Sequence, residues 1–243
     1  MVWFSNICCH QAFAQVEESD LESWWGLMTS GQFSENGSLW LDSHHVPHQF
    51  WIYRAGLTYA VPDSKAAVTV GYAGGRLATP FSDGNLIRSE NRPWGQVVYR
   101  VNFSGPYRAN FRFRYDMRFR ENITQQQLLQ EMNLEHRLRY NISLTHDWGR
   151  SISRHFDVSA TLFNESLFSR GQASVAIPFE HRTFLFWGFK RSFYTISPGY
   201  HLRYQDRIRN GDSIRHGFVL WVQVNYQFKK LLRKQLEFPS DKM

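Results

Sequence analysis

An all-β chain closing into an antiparallel transmembrane β-barrel of about ten to twelve strands is the fold this sequence predicts. Three observations predict it. Residues Phe111 to Arg120 alternate without a break, with Phe111, Phe113, Tyr115, Met117 and Phe119 against Arg112, Arg114, Asp116, Arg118 and Arg120. Successive side chains of a strand leave opposite faces of the pleat, so one face is aromatic and the other charged. The rest of the chain repeats this period and contains no run of about 18 apolar residues, so no transmembrane helix is available. Tight turns also alternate with longer polar segments, which is the pattern of short periplasmic turns and longer extracellular loops. In water the four arginines of that strand would share one solvated face and repel one another. In a membrane barrel the aromatic face meets lipid, while the charged face lines a lumen where acids on neighbouring strands can pair with it.

The chain has 243 residues, a formal net charge of +7 and 16% aromatic residues. A single barrel can use all of it. A basic balance raises nucleic-acid binding. The arginines argue against that, because they alternate with large aromatics along strands and do not cluster in a helix or tail. Cys8 and Cys9 are adjacent and have no third cysteine to bridge to. They precede Ala12-Phe13-Ala14, which has the small-x-small form of a signal-peptidase site. Residues 1–14 therefore read as a shortened signal peptide, against the alternative of an ordinary N-terminal tail. A mature chain without cysteine suits an outer-membrane protein.

The remaining elements follow in order. Residues 15–22 are acidic and read as an exposed leader, and the barrel is expected over 23–228. Ser23–Thr29 forms a first strand, and Asn36-Gly37 is a hairpin signal because both residues tolerate positive φ. Ser38–His44, Phe50–Ala60 and Ala66–Ala73 come next, with the turn Val61–Ser64 between the last two. Gly74–Pro93 reads as a long loop, Trp94–Phe103 as a strand, and Ser104-Gly105-Pro106 as a turn into Arg108–Arg120. Asn122–Asn133 is polar, with room for one helical turn. Glu135–Thr145 and His155–Glu165 flank the turn Asp147–Arg150. Ser166–Pro178 is a loop, and Glu180–Lys190 and Ser192–Gln205 form a hairpin around Lys190-Arg191. Asp206–His216 is a loop with Asn210-Gly211. Gly217–Phe228 ends the barrel on an aromatic, and a basic tail spans 229–243.

This gives about eleven strands, whereas bacterial barrels have an even number. Either Ser23–Thr29 lies outside the ladder, or a strand hides near Gly75–Ser82. A ring of ten or of twelve satisfies the rule, with twelve slightly favoured.

The order Trp24, Arg54, Gly71-Tyr72 and Glu90-Asn91-Arg92-Pro93-Trp94 resembles the domain of unknown function 2490 family, outer-membrane β-barrels of Gram-negative bacteria. The arginine-rich strands from Phe111 and Glu135, Asn164-Glu165, Glu180-His181-Arg182 and Gly199–Gln205 continue the resemblance over nearly all of the mature chain. The resemblance implies a fold and a location, the bacterial outer membrane. It supplies no activity and no catalytic residues.

Charged positions on the inward faces form the candidate site. Arg54, Glu90, Arg92 and Arg100 come from the first half of the chain. Arg112, Arg114, Asp116 and Arg118 share the central strand. Glu135, Arg137, Arg139, Asp157 and Glu165 follow, then Glu180, Arg182, His201 and Arg203. One reading is a ladder of ion pairs that fills the lumen, for which the forked, permanently charged guanidinium is suited. The other is an anion-attracting constriction. The filled lumen is favoured, because so small a barrel leaves little empty space.

Other chemistry has less support. An outer-membrane lipid hydrolase would place a Ser/His pair, oriented by an amide, on the outward face. His146 is on the outward register while Ser143 is on the other, and no His-x-Ser element is present. A triad is recognised by geometry, so this alternative stays open. His44, His45 and His48 could hold a metal, but they lack helical spacing or cysteine partners and read as a solvated loop. Gly74-Gly75 lacks the residues of a phosphate loop. The expected function is an integral outer-membrane barrel, structural or a narrow channel, without cofactor or metal, whose partners are membrane lipid and the barrel-assembly machinery. A soluble secreted barrel that binds a ligand is the third possibility.

Overall fold

The computed structural model describes residues 17–78, 86–123, 127–150, 153–171, 177–206 and 212–227. The segment 1–14, Asn210-Gly211, Phe228 and the tail 229–243 lie outside the described residues.

Eleven strands form one closed barrel: β1 Glu17–Gln32, β2 Gly37–Val46, β3 Phe50–Ala60, β4 Ala66–Ala78, β5 Ile87–Asn102, β6 Tyr107–Ile123, β7 Leu128–Gly149, β8 Asp157–Gly171, β9 Phe179–Arg191, β10 Tyr194–Asp206 and β11 Ser213–Gln227. Each strand pairs antiparallel with the next in sequence, and β1 then closes the ring by pairing parallel with β11. Parallel closure follows from the odd count. Ten successive reversals leave the first and last strands pointing the same way. Ser23–Thr29 is thus neither outside the ladder nor evidence of a missing strand. It pairs residue for residue with Phe218–Val224. Glycine makes this seam possible, since a Cβ at Gly217 would collide with the backbone of Glu22.

Several strands run further than the alternation suggested. The supposed leader is strand from Glu17, and Glu22 is buried. The described parts of Gly74–Pro93 are ladder, with Gly74 opposite Asn91 and Gly75 opposite Glu90. The described parts of Asn122–Asn133, Ser166–Pro178 and Asp206–His216 are likewise largely strand. These segments are polar or glycine-rich, which imitates loop composition. Their backbones nonetheless complete hydrogen-bond ladders, and polar side chains such as Glu90 and Ser213 turn into the barrel while others, such as Arg76 and Arg170, stay outside. The first hairpin also differs. Residues 33–36 link β1 to β2, and among the described residues left-handed non-glycine positions occur instead at His48, Asp63 and Ser192, each at or beside a turn.

The usual burial rule is inverted. Phe113 is 53% exposed while Arg114 and Asp116 beside it are 1% and 0% exposed. Trp25, Leu27, Trp51, Tyr53, Leu57 and Tyr59 repeat the pattern on β1 and β3, with large apolar side chains outward. Two aromatic groups stand inside. Trp24, Phe163, Phe184, Phe186, Val46 and Val219 pack together with Phe50 and Trp221 against them. Trp40 and Trp94 meet edge to face at 5.2 Å, with Ala73 beside them. Gly71 makes room for Trp94, because a Cβ there would strike both that indole and the Ala55 carbonyl oxygen.

Candidate functional site: a charged and aromatic barrel interior

Alternation along each strand delivers one charged side chain inward every second residue, and the register decides which of them meet. On β6, Arg114 Nε reaches Asp116 at 2.8 Å, and Arg139 Nε of β7 reaches the same carboxylate at 2.7 Å. Glu90 of β5 accepts from Arg118 of β6 at 3.0 and 2.7 Å and from Arg92 of its own strand. Arg118 Nη1 also bonds Glu135 of β7 at 2.5 Å, and Arg120 pairs with that carboxylate too. Arg137 completes the group at 3.5 Å.

The second half of the ring is similar. Glu165 of β8 accepts from Arg112 at 2.8 Å and lies 3.6 Å from Arg182 of β9. Glu180 is bonded by Arg182 Nε at 2.5 Å and Arg203 Nε at 2.8 Å. Glu22, at the closure seam, receives His201 at 2.8 Å, Gln49 at 2.6 Å and Arg203 at 3.3 Å. Asp42 is held by Arg54 at 2.6 Å. Each bridging arginine links carboxylates on different strands, a task for which its rigid fork of five donors is pre-organised.

The charged and aromatic groups are stacked together. Arg114 lies 4.1 Å above the Trp94 ring, Arg182 5.0 Å above Trp24, Arg54 5.2 Å above Trp40 and Arg112 5.7 Å above Phe163. Away from water such contacts are worth about 2 kcal/mol. Most of the ion pairs occupy the half of the barrel where β1 begins. The aromatic residues cross its middle. Towards the other rim the interior carries Ser159, Thr161, Ser197 and Gln223.

The expected charged residues are therefore brought together, with two qualifications. Asp157 is at the start of β8, about half exposed, and meets only the exposed Arg150 at 3.3 Å among the described residues. It belongs to the rim, because β8 begins there and its partner in register is Lys190. Arg100 is half-buried on the inward face, in register with Asn110, nearer the same rim. Sequence reasoning missed Glu22, Asp42 and His44, and left Arg120 out of the site although it lies on the charged face of the central strand. His44 is not in a solvated loop: it is inward on β2, accepts from Trp24 Nε1 at 3.2 Å and lies 3.7 Å from Asp42. The signal was there in the alternation of β1 and β2, where Glu22-Trp24 and Asp42-His44 occupy every second position. His45 faces outward and His48 sits in the following turn, so the three histidines do not converge.

A closed barrel with aromatics outside and charges inside defines a class: an inverted β-barrel. The family model described as Protein of unknown function (DUF2490) matches residues 21–213, and the chain belongs to that family. The match runs from the outward residue before Glu22 to the first residue of β11. No curated protein matches the chain. A solved structure described as "NanC porin structure in rhombohedral crystal form" is similar at 12% identity and a TM-score of 0.45, over 84% of this chain and 99% of that chain.

Proposed function

We propose that this protein is an integral barrel of the bacterial outer membrane whose lumen is sealed by its own ion pairs and aromatic side chains, so that it is not an open pore. The inversion of burial carries this reading. A soluble barrel would have to solvate Leu21, Trp25, Leu57, Phe113 and Phe218, each at least half exposed, while hiding Arg114, Asp116 and Arg139. In a bilayer the same arrangement places the apolar side chains in lipid, and exchanging the faces would cost about 2–4 kcal/mol per arginine at mid-depth. The barrel-assembly machinery is then its partner in biogenesis.

The guanidiniums that reach two carboxylates each support a filled lumen over a constriction. Such a network has no mobile counter-ion layer through which an ion would pass. The test has two parts. Membrane fractionation with a heat-modifiable gel shift should place the folded protein in the outer membrane. Planar-bilayer recording should then show little conductance. A large, stable single-channel conductance from the wild type would overturn the sealed lumen, and recovery of the protein in the soluble fraction would favour the secreted ligand binder.

A further inference from the structure

We propose that the outward face of β7–β9 carries a serine hydrolase site for the acyl esters of membrane lipids, with Ser166 as nucleophile and His181 as its base. The substrate class rests on the reading that this exterior faces lipid.

Among the outward residues of these strands stand four polar side chains surrounded by Ile142, Leu162, Phe168, Leu185 and Leu202. Ser166 Oγ lies 2.9 Å from His181 Nδ1, its partner in register across β8 and β9. His181 Nε2 lies 3.4 Å from Thr183 Oγ1, and Thr183 donates to Asn164 Oδ1 at 2.8 Å. The hydrogens of this chain have one consistent arrangement. Thr183 gives its proton to Asn164, so its oxygen can only accept from the imidazole. His181 therefore carries its proton on Nε2, and Nδ1 is left as the acceptor for the Ser166 hydroxyl. A nucleophile, a base and an orienting group in hydrogen-bond sequence is the arrangement by which a serine is activated. Polar residues inside an apolar membrane band point to function for a physical reason, since each is costly there.

Tyr140 supplies the remaining part. It pairs in register with Ser166 on the side opposite His181, faces outward, and its hydroxyl has no hydrogen bond among the described residues. A phenol there can donate to an oxyanion formed at Ser166. Arg170, four residues along β8, is the first exposed charge on this face. At about 3.3 Å per residue and a tilt of about 40°, Ser166 sits roughly 10 Å below it. On bilayer dimensions that is a few ångströms on the apolar side of the interface, so a lipid must lower its acyl ester slightly to reach Ser166.

Ser166 Oγ attacks the ester carbonyl carbon as its proton passes to His181 Nδ1. The ester C–O bond then breaks, and the leaving alcohol takes that proton. Water attacks the acyl-serine by the same route, releasing the fatty acid and restoring the hydroxyl. Thr183 is a positioning residue, acting through the imidazole.

Purified protein in detergent, treated with a long-chain alkyl fluorophosphonate, tests the site. Ser166 Oγ would bond phosphorus and expel fluoride while His181 takes the proton. The expected result is one adduct, mapped by mass spectrometry to Ser166 and absent in Ser166→Ala. Labelling should slow about 10²-fold or more in His181→Gln. Thr183→Val should slow it as well, and Thr183→Ser should restore it. Diacyl phospholipid in mixed micelles should release fatty acid with wild type and not with Ser166→Ala. No adduct on a heat-modifiable wild-type barrel, or equally fast labelling of His181→Gln, would show a mere cross-strand hydrogen bond and overturn the site. An adduct without fatty-acid release would overturn the substrate. These failures are distinct from absence of the protein from the membrane fraction, which strikes the reading beneath the proposal.

Discussion

Asp116 shows how much one residue can hold in this interior. It is fully buried and receives both Arg114 and Arg139. Replacing it with Ala leaves two desolvated guanidiniums without their counter-charge, which costs about 3–5 kcal/mol. Asp116→Ala should therefore lower the urea midpoint of the detergent-folded barrel markedly. Asp157→Ala removes a rim pair open to water and should change stability by less than about 1 kcal/mol. Equal effects of the two would contradict the burial difference. On the outward face, Phe113→Arg places a charge where the apolar band is continuous. It should cost about 2–4 kcal/mol if that position is near mid-bilayer, read from the same unfolding curves in lipid vesicles.

At the scale of elements, the parallel seam between β1 and β11 is the feature to test. Thr29 and Val224 are opposite each other and both face outward. Adjacent strands bring such Cα atoms within disulfide range. In a background with Cys8 and Cys9 changed to Ser, the pair Thr29→Cys and Val224→Cys should crosslink under mild oxidation. Failure to crosslink in a folded barrel would mean another strand separates them. The glycine at the seam gives a second measurement. Gly217→Val should abolish the heat-modifiable form, because its Cβ runs into the Glu22 backbone. Gly95→Ala should be tolerated, since an added Cβ there meets nothing closer than 3.8 Å.

For the whole molecule, filling and charge make a joint prediction. Arg114→Gln with Arg139→Gln removes both partners of Asp116. In a sealed lumen the double variant should be less stable than wild type and should still conduct little, since Trp94 and Trp40 remain in place. In an open lumen it would instead keep its stability and lose anion preference. Unfolding and bilayer recording on the same preparations separate these results.

The sequence by itself determined the period, the class and the two faces. Strict alternation is a local property of a pleated strand, so the opposed faces of Phe113 and Arg114 could be read from ten residues, while which of them is outward needed the rest of the chain. Most of the charged set was legible for the same reason, as its members stand at inward positions of their own strands, but Glu90 and Arg92 lay in a segment that reads as a loop and Asp157 is at the rim. Only the tertiary structure decided the count, the closure and the pairings. Whether Glu22 ends a leader or begins an interior cluster depends on His201 and Arg203, some 180 positions away. The described parts of a polar segment such as Gly74–Pro93 look like a loop until a neighbouring strand completes their hydrogen bonds. The encounter of Ser166 with His181 depends on the β8–β9 register. Register and closure are set by contacts between distant strands, and those contacts leave no mark in the local alternation of a single strand.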